Sequence, residues 1–116
     1  MTALRPISLP LHGALELLLG LLALVTPFAL GFTPAGTVVA VLIGVCAIGL
    51  ALDATQPAPH AISAHHAFDY GLALGAVLVA LPLALAGDAA AALVLAALGL
   101  IQLALNASTR YSARAS

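Results

Sequence analysis

The chain has 116 residues, 64% of them hydrophobic and 6% charged, with a formal net charge of −1. Three basic and four acidic side chains cannot coat a small soluble domain, in which roughly 25% of residues are charged. The near-neutral balance offers no basic patch to a nucleic acid, and a lone Cys46 excludes both an internal disulfide and a CxxC metal or redox pair.

Lipid is the partner that such a composition implies. The abundance of Ala and Leu, with Arg as the only basic residue type, hints at a GC-rich bacterial genome. Residues 1–9 carry Arg5, Pro6 and Ser8 and read as a polar lead-in, and Pro10 suits a first helical position, where its missing N–H costs nothing. Residues 11–30 form a first apolar run of about 30 Å at ~1.5 Å per residue, enough to cross a hydrocarbon core. Gly31 is a natural stop, and Pro27 lies in the last turn, where a membrane helix tolerates it. This run is longer than a signal-peptide core, contains Glu16, and has no A-x-A site after it, so it is expected to be retained. Thr33-Pro34 reads as an N-cap followed by a first helical proline, opening a second crossing over about 35–52 that Asp53 closes.

Residues 53–64, with two prolines and no apolar period, read as a loop. Ser63 is the expected cap of a third crossing over 65–86, with Gly87 as its stop. Asp88 is placed to cap a fourth over 89–105, its carboxylate suiting the positive end of the helix dipole. Residues 106–116 read as a polar tail with Arg110 and Arg114.

The expected fold is all-α: a four-helix transmembrane bundle made of two parallel helical-hairpin repeats in one membrane domain. Repeat 1 spans about 11–55, repeat 2 about 65–108, and the loop 53–64 joins them. Four crossings put both termini and this loop on one side, together with Arg5, Arg110 and Arg114. The positive-inside rule makes that side the cytoplasmic face of a bacterial inner (plasma) membrane. Phe28 and Phe32 would mark the outer interface, and Phe68, Tyr70 and Tyr111 the inner one.

The halves match at two offsets. Gly20 and Pro27 align with Gly75 and Pro82, and Gly44 with Gly99, at 55; the helix ends Leu50-Ala-Leu-Asp-Ala-Thr55 and Leu103-Ala-Leu-Asn-Ala-Ser108 align at 53. A tighter second turn would absorb the difference. Each unit crosses twice and returns, so the units are parallel repeats about an axis along the membrane normal. The run from Gly20 through Thr26-Pro27-Phe28 to Leu30-Gly31-Phe32 resembles the SPW-repeat family of small bacterial membrane proteins. In that family a Gly, an apolar stretch and a Ser-Pro-Trp-like triplet precede an LGF-type turn. Thr-Pro-Phe stands here in place of Ser-Pro-Trp, and the second copy, Leu81-Pro82-Leu83, keeps only the proline. The resemblance covers about residues 14–55 well and 68–108 weakly; it implies a four-helix integral membrane protein and no particular activity. The acid-resistance membrane proteins, with Gly-rich, proline-containing helical repeats, are a second resemblance.

The candidate polar site comprises Glu16, His12, His65, His66 and Asp69. His12 and Glu16 stand i, i+4, as do His65 and Asp69 at the offset of 53, so each pair shares a helix face. Converging pairs could relay protons or hold a divalent metal. Against this, acidic residues suit the first turns of helices and histidines suit headgroup depth. Glu16, ~7 Å deeper than Leu11, is the hardest to explain that way, since a carboxylate there must be protonated, paired or wet. The sequence carries no metal-ligand signature, so neither metal nor cofactor is assigned from it. Gly71 with Gly75 and Ala40 with Gly44 are small-xxx-small steps that serve helix packing, within the bundle or between copies in a homo-oligomer. No nucleotide-binding loop occurs. The leading reading is a non-enzymatic membrane protein with a packing, assembly or stress-related role; the alternative is a proton-coupled small-molecule carrier or channel component acting as an oligomer through Glu16.

Overall fold

In the computed structural model, which describes residues 5–54 and 62–111, four helices follow one another: α1 Leu9–Leu30, α2 Pro34–Ala54, α3 Ile62–Leu85 and α4 Ala89–Ala107. Each is long and apolar enough to cross a bilayer, and together they make a multi-pass membrane bundle with extents of 45 × 23 × 20 Å. α1 packs closely on α2, and α3 on α4. Most of the expected loop (residues 55–61) and Arg114 lie outside the described residues.

The residue sizes are sorted for lipid. The interior is dominated by Ala and Gly: Ala23, Ala40, Ala47, Ala51, Ala73, Ala76 and Ala91 are all 5% exposed or less. Large apolar side chains point outward, among them Phe28, Leu78 and Leu93, each at least 70% exposed. With lipid outside there is nothing to gain by hiding a leucine, whereas small residues let backbones approach and dispersion contacts accumulate. A Cβ placed on Gly44 would lie 2.9 Å from the Gly20 carbonyl oxygen, and one on Gly99 2.8 Å from that of Ala73.

Those two contacts fix how the halves correspond. Gly44 and Gly99 do occupy equivalent places, but Gly99 packs on Ala73, so Ala73 is the counterpart of Gly20. The buried stripe of α1 (His12, Glu16, Gly20, Ala23, Pro27) recurs in α3 as His65, Asp69, Ala73, Ala76 and Ala80, an offset of 53 throughout. The stripe of α2 (Gly36, Ala40, Gly44, Ala47, Ala51) recurs in α4 as Ala91, Leu95, Gly99, Gln102 and Asn106, an offset of 55. Gly75 and Pro82 are therefore not the partners of Gly20 and Pro27; both are exposed. The match of the α2 and α4 ends at 53 is likewise out of register. Two extra residues in α3, 24 against 22 in α1, absorb the difference; the turns, 31–33 and 86–88, are equal in length. Ala40 and Gly44 pack as expected, while Gly71 and Gly75 face open space with nothing within 4 Å of an added Cβ.

The far ends of the hairpins are tied to each other. Asp88 Oδ2 accepts hydrogen bonds from the Thr33 amide (2.8 Å) and hydroxyl (2.7 Å), and Asp88 Oδ1 from the Ala91 amide (3.1 Å). One carboxylate thus caps α4 and binds the turn before α2. Thr33 Oγ1 in turn accepts from the Gly36 amide at 3.2 Å, the capping role its sequence position suggests. Gly31 takes φ 67° and Gly87 φ 90°, the left-handed conformation that only glycine adopts without strain. At the opposite end, Ser8 caps α1 and Leu9 is its first residue, so Pro10 stands second in the helix rather than first, and α3 begins at Ile62, so Ser63 lies inside it. The described part of the tail is held. The Ile7 amide donates to the Ser108 carbonyl (3.0 Å) and the Arg110 amide to the Ile7 carbonyl (2.9 Å), pinning residues 108–111 across the start of α1.

Candidate functional site

The offset of 53 between α1 and α3 has a chemical consequence: His12 and Glu16 meet His65 and Asp69 at the same depth. His12, Glu16 and Asp69 are fully buried and His65 nearly so. His12 Nε2 lies 3.4 Å from Glu16 Oε1 and 2.9 Å from Asp69 Oδ2; His65 Nε2 lies 3.9 Å and 3.1 Å from the same two oxygens. One ligand atom from each residue fits within 4.8 Å of all the others. The two i, i+4 pairs therefore converge on one point.

Neighbouring side chains decide which nitrogens face that point. Thr109 Oγ1 donates its hydrogen to the Leu105 carbonyl (2.6 Å) and lies 2.8 Å from His12 Nδ1. Having spent its only hydrogen, the hydroxyl accepts from Nδ1–H. His65 Nδ1 lies 3.0 Å from Asp53 Oδ2, an oxygen that in a carboxylate only accepts, so here too Nδ1 carries the hydrogen. By this network both imidazoles, when neutral, present a bare Nε2 lone pair to the two carboxylates.

Donors from α4 and the tail complete the shell. Gln102 Nε2 donates to Glu16 Oε2 (3.0 Å) and Asn106 Oδ1 (2.8 Å), using both amide hydrogens. The Tyr111 hydroxyl donates to Asp69 Oδ2 at 2.7 Å. Burial, together with the Asp69 carboxylate beside it, pushes the Tyr111 phenol upward, so it stays protonated and remains a donor. Glu16 Oε1, His65 Nε2 and Asp69 Oδ1 are nevertheless buried without a hydrogen-bond partner. Such groups are costly unless something positive sits among them.

His66, grouped with the site in the sequence reading, lies outside the quartet. Its ring stacks on that of Tyr111, centroids 4.3 Å apart at 19°. On the deep side the bundle axis turns apolar: a void of about 30 Å³, room for a water or two, is lined by side chains such as Ala23, Ala47, Ala73 and Leu98, with Gln102 at its polar edge.

Sequence reasoning missed Asp53, Gln102, Asn106, Thr109 and Tyr111. A signal existed for two of them, since Gln102 and Asn106 repeat the i, i+4 spacing near a helix end and an amide inside an apolar run needs a partner. Nothing in the spacing of Thr109 or Tyr111 shows that the tail folds back, because the Ile7 pairing that holds it there is a contact between the two ends of the chain. Searches against protein-family models, curated proteins and solved structures found nothing that matches this chain.

Proposed function

We propose that this is a non-enzymatic membrane protein, with both termini in the cytoplasm of a bacterial cell, whose working part is a buried cation-binding site at the cytoplasmic end of the bundle. The observation that carries the reading is the inward convergence of four acceptor atoms, two imidazole Nε2 and two carboxylate oxygens, with Glu16 Oε1 and His65 Nε2 left unpartnered. Acceptors of this kind repel one another until a cation stands between them. The carrier alternative through Glu16 gains no support from the apolar side chains that line the axis beyond Gln102. The SPW-repeat resemblance stays a proposal about ancestry; the burial of Gly20 and Pro27 is in keeping with it.

The test is thermal unfolding of the detergent-purified full chain in a panel of monovalent and divalent chlorides, beside the double variant Glu16→Gln/Asp69→Asn. A cation that raises the midpoint of the wild type and not of the variant is the expected result; a panel in which no cation does so overturns the reading. Orientation is tested separately, on a Cys46→Ser background. A membrane-impermeant maleimide should label Ala86→Cys in intact cells and Pro6→Cys only after permeabilisation. The reverse pattern would invert the topology.

A further inference from the structure

Resting on the cation-binding reading, the geometry points to one class of ligand: we infer that His12, Glu16, His65 and Asp69 form a four-coordinate site for a divalent first-row transition metal such as zinc. Bonds of ~2.05 Å to a tetrahedral ion hold ligand atoms about 3.3 Å apart. The four imidazole–carboxylate separations, 2.9, 3.1, 3.4 and 3.9 Å, bracket that edge. Two neutral imidazoles and two carboxylates balance a divalent charge, so the filled site is neutral where the surroundings are lipid and apolar protein. Mixed nitrogen and oxygen donors suit zinc and its first-row neighbours, whereas calcium and magnesium favour six or more oxygens, several from water.

Two features separate a metal from protons. A proton on each imidazole would also balance the carboxylates, but a hydrogen on His65 Nε2 would have no aligned acceptor, although Asp69 Oδ2 is only 3.1 Å away. His65 Nε2 thus stands near both carboxylates, 3.1 Å from Asp69 Oδ2 and 3.9 Å from Glu16 Oε1, without a hydrogen bond to either. Secondly, three ligands are oriented by a group behind them, Thr109 on His12 Nδ1, Asp53 on His65 Nδ1 and Gln102 on Glu16 Oε2, while the Tyr111 hydroxyl donates to the inward-facing Asp69 Oδ2 itself. Metal-binding imidazoles characteristically hand their second N–H to a carboxylate or another oxygen in this way. The arrangement also gives a role to Asp53 in the last turn of α2, a helix that contributes no ligand.

The experiment loads the chelator-stripped, detergent-purified full chain with zinc chloride and, separately, cobalt chloride. Expected are one metal per chain, a visible cobalt spectrum of the tetrahedral type, and a zinc X-ray absorption shell of four nitrogen or oxygen atoms at ~2.0–2.2 Å with outer scattering from two imidazoles. His65→Ala should abolish saturable binding. Should that variant fail to fold, Asp53→Asn, which leaves all four ligands in place, should weaken zinc about 10–100-fold, while Gly75→Ala, whose methyl meets open space, leaves it unchanged. An octahedral cobalt spectrum, a shell with fewer than two imidazoles, or equal losses from Gly75→Ala and Asp53→Asn would overturn the site. If the salt panel reveals stabilisation by a monovalent cation alone, the metal site fails and cation binding stands; if no cation stabilises the chain, both fail.

Discussion

Two threonines, one paired and one not, allow the same substitution to be predicted with opposite signs. Thr109→Val exchanges a hydroxyl for a methyl at nearly constant volume and removes two buried hydrogen bonds. The Leu105 carbonyl keeps a second donor, the Ser108 amide at 3.1 Å, so the loss falls on His12 Nδ1, which is left buried with nothing to receive its hydrogen. A buried donor stripped of its partner costs about 1–3 kcal/mol. Thr26 Oγ1 is buried with no partner, so Thr26→Val removes an unsatisfied group and should stabilise by about 1 kcal/mol. Thr26 lies in α1, where Thr and Val have nearly equal helix propensities, and Thr109 lies beyond the end of α4, so hydrogen bonding is the main difference between the two substitutions. Denaturant titration of the metal-free protein, followed by helical circular dichroism, measures both. Loss of stability in both variants, or in neither, would refute the assignment of Thr109 as the acceptor that orients His12.

Further consequences follow from packing and from the distal carboxylate. Gly99→Ala places a methyl 2.7 Å from Val77 Cγ2 and 2.8 Å from the Ala73 carbonyl, and overpacking of this kind costs about 1–3 kcal/mol; Gly75→Ala meets open space and should be neutral or slightly stabilising in the same titration. Equal losses in the two would restore Gly75 as the counterpart of Gly20. Asp88, held below the usual carboxylate range chiefly by its hydrogen bond from the Thr33 hydroxyl, has a folded pKa lower than its unfolded one. Its contribution is therefore complete above the ordinary aspartate pKa and lost as pH falls through the lower folded value. The gap in unfolding midpoint between wild type and Asp88→Asn should hold from pH 7 down to the ordinary aspartate pKa and close below it; a gap that widens on acidification would contradict the cap.

Length, apolarity and punctuation determined the four crossings, because a helix is a local structure and lipid demands one apolar run of fixed length for each. Gly31, Thr33, Gly87 and Asp88 marked their turns for the same local reasons. The pairing of His12 with Glu16 and of His65 with Asp69 was also legible, since i, i+4 neighbours share a face whatever the fold. Which residues face inward was not, because helices apolar all round carry no periodic signal, and so Gly75 was matched to Gly20 when Ala73 takes that place. Only the tertiary structure brings the two pairs within one coordination sphere and hands their outer nitrogens to Asp53 and Thr109. That depends on distances between helices and on residues 108–111 being held by Ile7 from near the other end of the sequence, and neither is a matter of local preference.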